Sequence, residues 1–274
     1  MIGMRRRIAA WILLGLCISP TVYPQSSPLH AAARSGDMTR VQERIALGDD
    51  VNARDESDST PLHMAVISRQ IALVKLLVDS GANVSARNGS GQTPLHSAPS
   101  SLVAFLISHG GDVHAADKRG TTALHVAVRR GSIEGVQPLV MAGANVNVAD
   151  NDGLTPLHDA DGAVADLLLR YGADTNASDV WGATPLHRAA ARGDARTVAA
   201  LLNGGADLDA RDSRGATALH DAAVMGRMEV VHLLLRYGSD VNASDAAGKT
   251  PLGHSASLGR ANPVSRLLKS YGAL

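Results

Sequence analysis

Apolar residues along this chain come in short bursts at helical spacing, each closed by a glycine. The clearest is RMEVVHLLLRYGSDVNASD, residues 227–245, in which Val230, Val231, Leu233, Leu234 and Leu235 make one broad apolar face and Gly238 ends it. A shorter burst precedes each long one. It opens on a small hydroxyl residue able to cap a helix and, in most instances, a proline at the first helical position, where a missing N–H costs nothing. About two turns later it reaches Gly36, Gly131, Gly193, Gly226 or Gly259. Glycine readily adopts the left-handed conformation that stops a helix. An extended Asp-Val-Asn-Ala segment and a turn such as Asp245-Ala-Ala-Gly248 follow the second burst. The pattern predicts helix, helix, hairpin.

That unit recurs. The opening quartets are SPLH at Ser27, TPLH at Thr60 and Thr93, TALH at Thr122, TPLH at Thr155 and Thr184, TALH at Thr217 and TPLG at Thr250, spaced by 33 residues except for two intervals of 29. A fixed period in this range signals stacked supersecondary units, none of which can bury its apolar face alone. The motif D-x-x-G-x-T-P-L-H-x-A-A-x-x-G followed by V-x-x-L-L-x-x-G-A-D-V-N-A resembles the ankyrin repeat across residues 26–274. The resemblance implies an all-α repeat fold, an elongated and curved solenoid of about eight helix-helix-hairpin units. It also implies protein binding by the hairpin tips and the concave side of the first helices.

Some copies depart from the motif. The third and fifth are four residues short, with the gap after Ala98 and after Ala160, so the end of the first helix is lost and Ser100 or Asp161 stands as a candidate cap for the second. Pro138 falls inside the second helix of copy four and predicts a kink or a late start there. Copy one carries Glu43 and Arg44 where other copies are apolar, and copy eight has Gly253 in place of the quartet's histidine. Both suit the polar ends of a finite array.

Composition narrows the packing. Aromatic residues are 3% of the chain and Phe105 is the single phenylalanine, so alanine, leucine and valine must fill the core.

The stretch GLTPLHDADGAVADLLLRYGADTNA, residues 153–177, holds a histidine and several aspartates, the raw material of a metal-dependent hydrolase. His158-Asp159 and His220-Asp221 mimic the His-Asp pair of HD-domain phosphohydrolases. Against that reading, His30, His63, His96, His125, His158, His187 and His220 all occupy one repeat position. Stacked helices lie about 8–10 Å apart, whereas zinc ligands sit about 2.0–2.1 Å from a shared ion. In the ankyrin family this side chain resembles a structural strut bonded to the capping threonine and neighbouring backbone. Neither catalysis, a metal site nor a cofactor is expected.

The N-terminus reads as an export signal. Arg5, Arg6 and Arg7 precede an apolar run from Ile8 to Ile18, shorter than the roughly 20 residues of a membrane span. No Ala-x-Ala motif marks the cleavage point, which leaves an uncleaved anchor open. The division expected is a signal peptide at 1–25 and a repeat domain at 26–274, with no membrane association once the signal is removed. Its removal takes three arginines and no carboxylate from a chain of 26 basic and 26 acidic residues, leaving a formal charge of about −3. Cys17, the only cysteine, would leave with it, so no disulfide framework is expected.

Carried position by position, the family's contact sites fall on Lys118, Arg119, Arg129, Arg130, Asn151, Leu154, Trp181, Arg188, Arg192, Arg214 and Met225. A tryptophan at a turn tip has no core to fill, and tryptophan and arginine are enriched in binding hot spots. The arginines would gather on one side of a mildly acidic molecule, which favours a partner with an acidic surface. Nucleic acid is not expected, because no series of stacking aromatics accompanies the charges. The expectation is a monomeric, non-enzymatic interaction module of the bacterial periplasm, binding another exported protein as inhibitor, immunity factor or assembly partner. A binding protein secreted toward a host is the alternative.

Overall fold

A computed structural model describes residues 27–256, 259 and 262–274. The expected signal segment, residues 1–25, lies outside the described residues. Helices follow one another in pairs: α1 (Pro28–Ser35) with α2 (Met38–Ala46), α3 (Pro61–Ile67) with α4 (Ile71–Asp79), α5 (Pro94–Ser97) with α6 (Ser100–Ser108), and α7 (Ala123–Arg129) with α8 (Ile133–Met141). The remainder are α9 (Pro156–Asp159) with α10 (Gly162–Arg170), α11 (Pro185–Arg192) with α12 (Ala195–Asn203), α13 (Ala218–Val224) with α14 (Met228–Arg236), and α15 (Pro251–Ser255) with α16 (Pro263–Ser270). First helices stack in one row from α1 to α15, and second helices stack in another from α6 to α16. Each pair leans on its neighbours, which is the geometry of an all-α repeat solenoid. The quartet's leucines, Leu29, Leu62, Leu95, Leu124, Leu157, Leu186 and Leu219, lie buried between the rows.

The quartet's histidine ties each copy to the next. In copy five, Thr155 N–H donates to His158 Nδ1 at 3.0 Å and Thr155 Oγ1 lies 2.9 Å from the same nitrogen. His158 Nε2 faces the carbonyl of Ala183 in the next hairpin at 3.1 Å, so this nitrogen carries the proton and the ring is neutral. The same arrangement joins His63 to Gln92, His96 to Thr121, His125 to Leu154, His187 to Ala216 and His220 to Lys249. Burial holds His63, His96, His125, His158 and His220 below the ordinary histidine value, because a charge there would be stripped of water. In copy eight, Gly253 stands where the strut would be and His254 bonds Asp245 at 2.7 Å instead, which holds that carboxyl down to about 2.

Hairpin tips are tied to each other in sequence. The tip aspartate accepts two backbone N–H bonds, as Asp179 Oδ1 does from Trp181 and Ala183 at 2.9 Å each. Each tip then donates to the one before: Asn151 N to Arg119 O, Val180 N to Asp152 O and Ser213 N to Trp181 O. In copy two, Asp58 and Arg69 hold φ of 55° and 57° where Gly182 and Gly193 stand in copy six. A left-handed conformation is unfavourable for such residues, so copy two is locally strained.

Two local expectations change. Second helix α8 does not start late: it begins at Ile133, in register with α12 and α14, and encloses Pro138. Its place between α6 and α10 holds it helical despite the lost bond. Ser100 is not a cap either. It lies inside α6, behind Pro99, and its hydroxyl bonds Ser132 at 2.7 Å. Asp161 does cap α10, accepting from Val164 N at 3.0 Å.

Candidate interaction surface

The short copies have first helices of only four residues, α5 and α9, whose last carbonyls lose the turn that would have followed. An arginine from the next copy takes that place. Arg192 Nη1 donates to His158 O at 2.8 Å and its Nη2 to Ala160 O at 3.0 Å. Arg130 does the same for the other short copy, reaching Ala98 O at 2.6 Å and Ser97 O at 3.5 Å. Carbonyls at a helix end are acceptors without intrahelical partners, and a cation there also complements the helix dipole. Burial holds both guanidiniums below the ordinary arginine value. These two side chains have an internal role that their positions alone did not reveal.

Four of the sequence-selected residues come together elsewhere. Trp181, Arg188, Arg214 and Met225 line one hollow of about 480 Å³ between copies six and seven, open on the side of the hairpin tips and first helices. Trp181 and Met225 are each 54% exposed. Asp179, Asp212 and Asp221 line the same hollow; the first two were not singled out from sequence, and Asp221 only as half of a His-Asp pair. Arg188 bonds Asp179 at 3.0 Å; Arg214 bonds Asp212 at 2.7 Å and Asp221 at 2.9 Å. The carboxylates hold Arg214 above its ordinary value, Asp212 contributing most. For Asp221, burial pushes the carboxyl up, and His187 and Arg214 only partly oppose it. The arginines here arrive with carboxylates, so the hollow is not a simply basic groove.

The remaining selected residues lie in copies four and five. Lys118, Arg119 and Arg129 are exposed, the first two on the hairpin tip and the third at the end of α7. Asn151 is exposed and holds the neighbouring tip through its side chain, donating to Lys118 O at 3.1 Å. Leu154 is half-buried, and its carbonyl receives the His125 strut. A separate hollow of about 520 Å³ opens between α6 and α8, lined by Ile107, Pro138 and Met141. Among the described residues, no three His, Cys, Asp or Glu side chains are grouped to hold a metal ion, and no helix is long and apolar enough to cross a membrane.

The family profile described as ankyrin repeats (3 copies) matches residues 29–101, 99–179 and 160–245, most of the described chain. The chain belongs to the ankyrin-repeat family. Among curated proteins, none matches it at a significant level. Ankyrin repeats are general protein–protein interaction modules. His158, of the paired His158 and Asp159, has a scaffold role in this setting: both of its ring nitrogens are engaged.

Proposed function

We propose that this ankyrin-repeat chain is an exported, non-enzymatic interaction module of the bacterial periplasm that binds another exported protein as inhibitor, immunity factor or assembly partner. Export is supported by Arg5, Arg6 and Arg7 ahead of the apolar run at Ile8–Ile18. Binding rests on one observation above the others, the hollow between copies six and seven, where an exposed tryptophan and methionine stand beside buried charges. Large, half-exposed apolar side chains framed by polar groups mark contact surfaces. Exposed Lys118, Arg119 and Arg129 in copy four support a partner with an acidic patch at that end. Nucleic acid has less support, since Trp181 stands without further stacking aromatics beside it.

Fractionation of the source cell followed by affinity capture from its envelope tests both halves. The expected result is chain in the periplasmic fraction, bringing down an exported protein in stoichiometric amount. Recovery from the culture medium would favour the secreted alternative. A cytoplasmic location would sink the export reading, and turnover of phosphate esters with bound metal would sink the non-enzymatic one.

A further inference from the structure

We propose that the hollow between copies six and seven receives a basic side chain, arginine or lysine, from an extended segment of the protein partner, with an apolar neighbour of that residue lying against Met225. This rests on the interaction reading above and adds the chemistry of the contact. Charge is the first ground. The lining carries Asp179, Asp212 and Asp221 against Arg188 and Arg214, an excess of one carboxylate. The guanidiniums are already engaged: Arg188 directs Nε and Nη2 to Asp179 at 3.3 and 3.0 Å, and Arg214 directs Nε to Asp212 at 2.8 Å and Nη2 to Asp221 at 2.9 Å. An acidic side chain entering here would add a fourth carboxylate to the three present.

Asp221 is where the excess falls. Its side chain is 14% exposed and its Oδ1 takes the single bond from Arg214. A partly desolvated carboxylate with one charged donor gains from a second. The second ground is apolar. Trp181 offers an exposed indole, whose face attracts a cation within about 6 Å, and Ala183, Ala191 and Met225 give the hollow walls suited to an aliphatic stem. The third is size: about 480 Å³ lies within the roughly 300–1,000 Å³ that enclose a small ligand, enough for a long side chain and part of its neighbours. An extended segment fits an open trough of this kind better than a flat surface does.

A random dodecapeptide library displayed on phage and panned against the full chain tests the proposal, with affinities of the selected peptides measured by fluorescence anisotropy. The expected peptides carry Arg or Lys beside an apolar residue. Exchanging that residue for Gln, or making Asp221→Asn or Trp181→Ala in the protein, should weaken binding by about tenfold or more. Met141→Ala, in the hollow between α6 and α8, should leave it unchanged, and unaltered melting of each variant keeps folding out of the comparison. Peptides rich in Asp or Glu, peptides indifferent to both Asp221→Asn and Trp181→Ala, or an absence of binding peptides would overturn it. If an exported protein is still captured in stoichiometric amount, only the chemistry of the hollow fails; if capture also fails, the interaction reading fails with it.

Discussion

Arg192 and Met225 occupy the same register at the end of their first helices, yet one is bound into the scaffold and the other is offered to solvent. Arg192 follows a short copy and donates to the carbonyls of His158 and Ala160 that the missing turn left open. Met225 follows a full-length copy with no such gap and lines a hollow instead. Arg130 repeats the first case over the other short copy. The difference teaches that a residue on the contact side of a repeat array takes its meaning from the length of the copy before it. Residue type alone does not decide whether an arginine is free to meet a partner.

The largest effect concerns what the two kinds of copy share. Short copies keep the strut through His96 and His158, as full copies do through His63, His125 and His220. These five are held below the ordinary value, so the native state binds fewer protons than the unfolded one. Stability is therefore present above about pH 6.5 and lost as pH falls below it, by at most about 1.4 kcal/mol per pH unit for each histidine. Melting temperature measured from pH 8 to 5 should fall, with amide exchange rising in short and full copies alike. A loss confined to the short copies would break the parallel.

Next in size is the arginine that fills each gap. Arg130→Met and Arg192→Met should each cost about 1–3 kcal/mol in chemical denaturation, whereas Met225→Ala should cost less than about 0.5 kcal/mol. Inserting Ala-Ala-Arg-Gly after Ala160 restores the turn that copy six has at Ala190–Gly193. In that background Arg192→Met should become nearly neutral. A cost undiminished by the insertion would show that the arginine serves something other than the missing turn.

A smaller effect separates strained from relaxed full-length copies. Arg69→Gly should stabilise by about 0.5–1 kcal/mol, the left-handed penalty relieved less the added chain entropy of glycine. No gain in denaturant midpoint would contradict the strain assigned to copy two.

Much of this was legible in the sequence, because the 33-residue period, the capping threonine and the first-position proline are local signals that repetition reinforces. The histidine strut was legible as a position and gained its partners only with three dimensions. The arginine fill was missed although a signal existed: of the eight copies, only the two that follow a short one carry arginine eight residues after the hydroxyl cap. The hollow was half legible. Trp181, Arg188, Arg214 and Met225 were found by position, but Asp179 and Asp212 looked like turn residues, and Asp221 like half of a His-Asp pair, until packing set them against the arginines. Pro138 does not delay the start of α8, because a helix stacked on both sides can absorb a lost bond that an isolated helix cannot.

The sharpest test of the division between scaffold arginines and the proposed contact surface is to titrate whatever protein affinity capture recovers against Trp181→Ala, Met225→Ala, Arg130→Met and Arg192→Met, with the melting temperature of each variant taken alongside. Trp181→Ala should cost at least about 2 kcal/mol of binding, Met225→Ala should weaken binding to a lesser degree, and neither should change melting appreciably. The two arginine variants should melt earlier while their folded fraction binds as wild type. Unchanged affinity in both Trp181→Ala and Met225→Ala, together with lost affinity in the arginine variants at unchanged melting, would contradict that division.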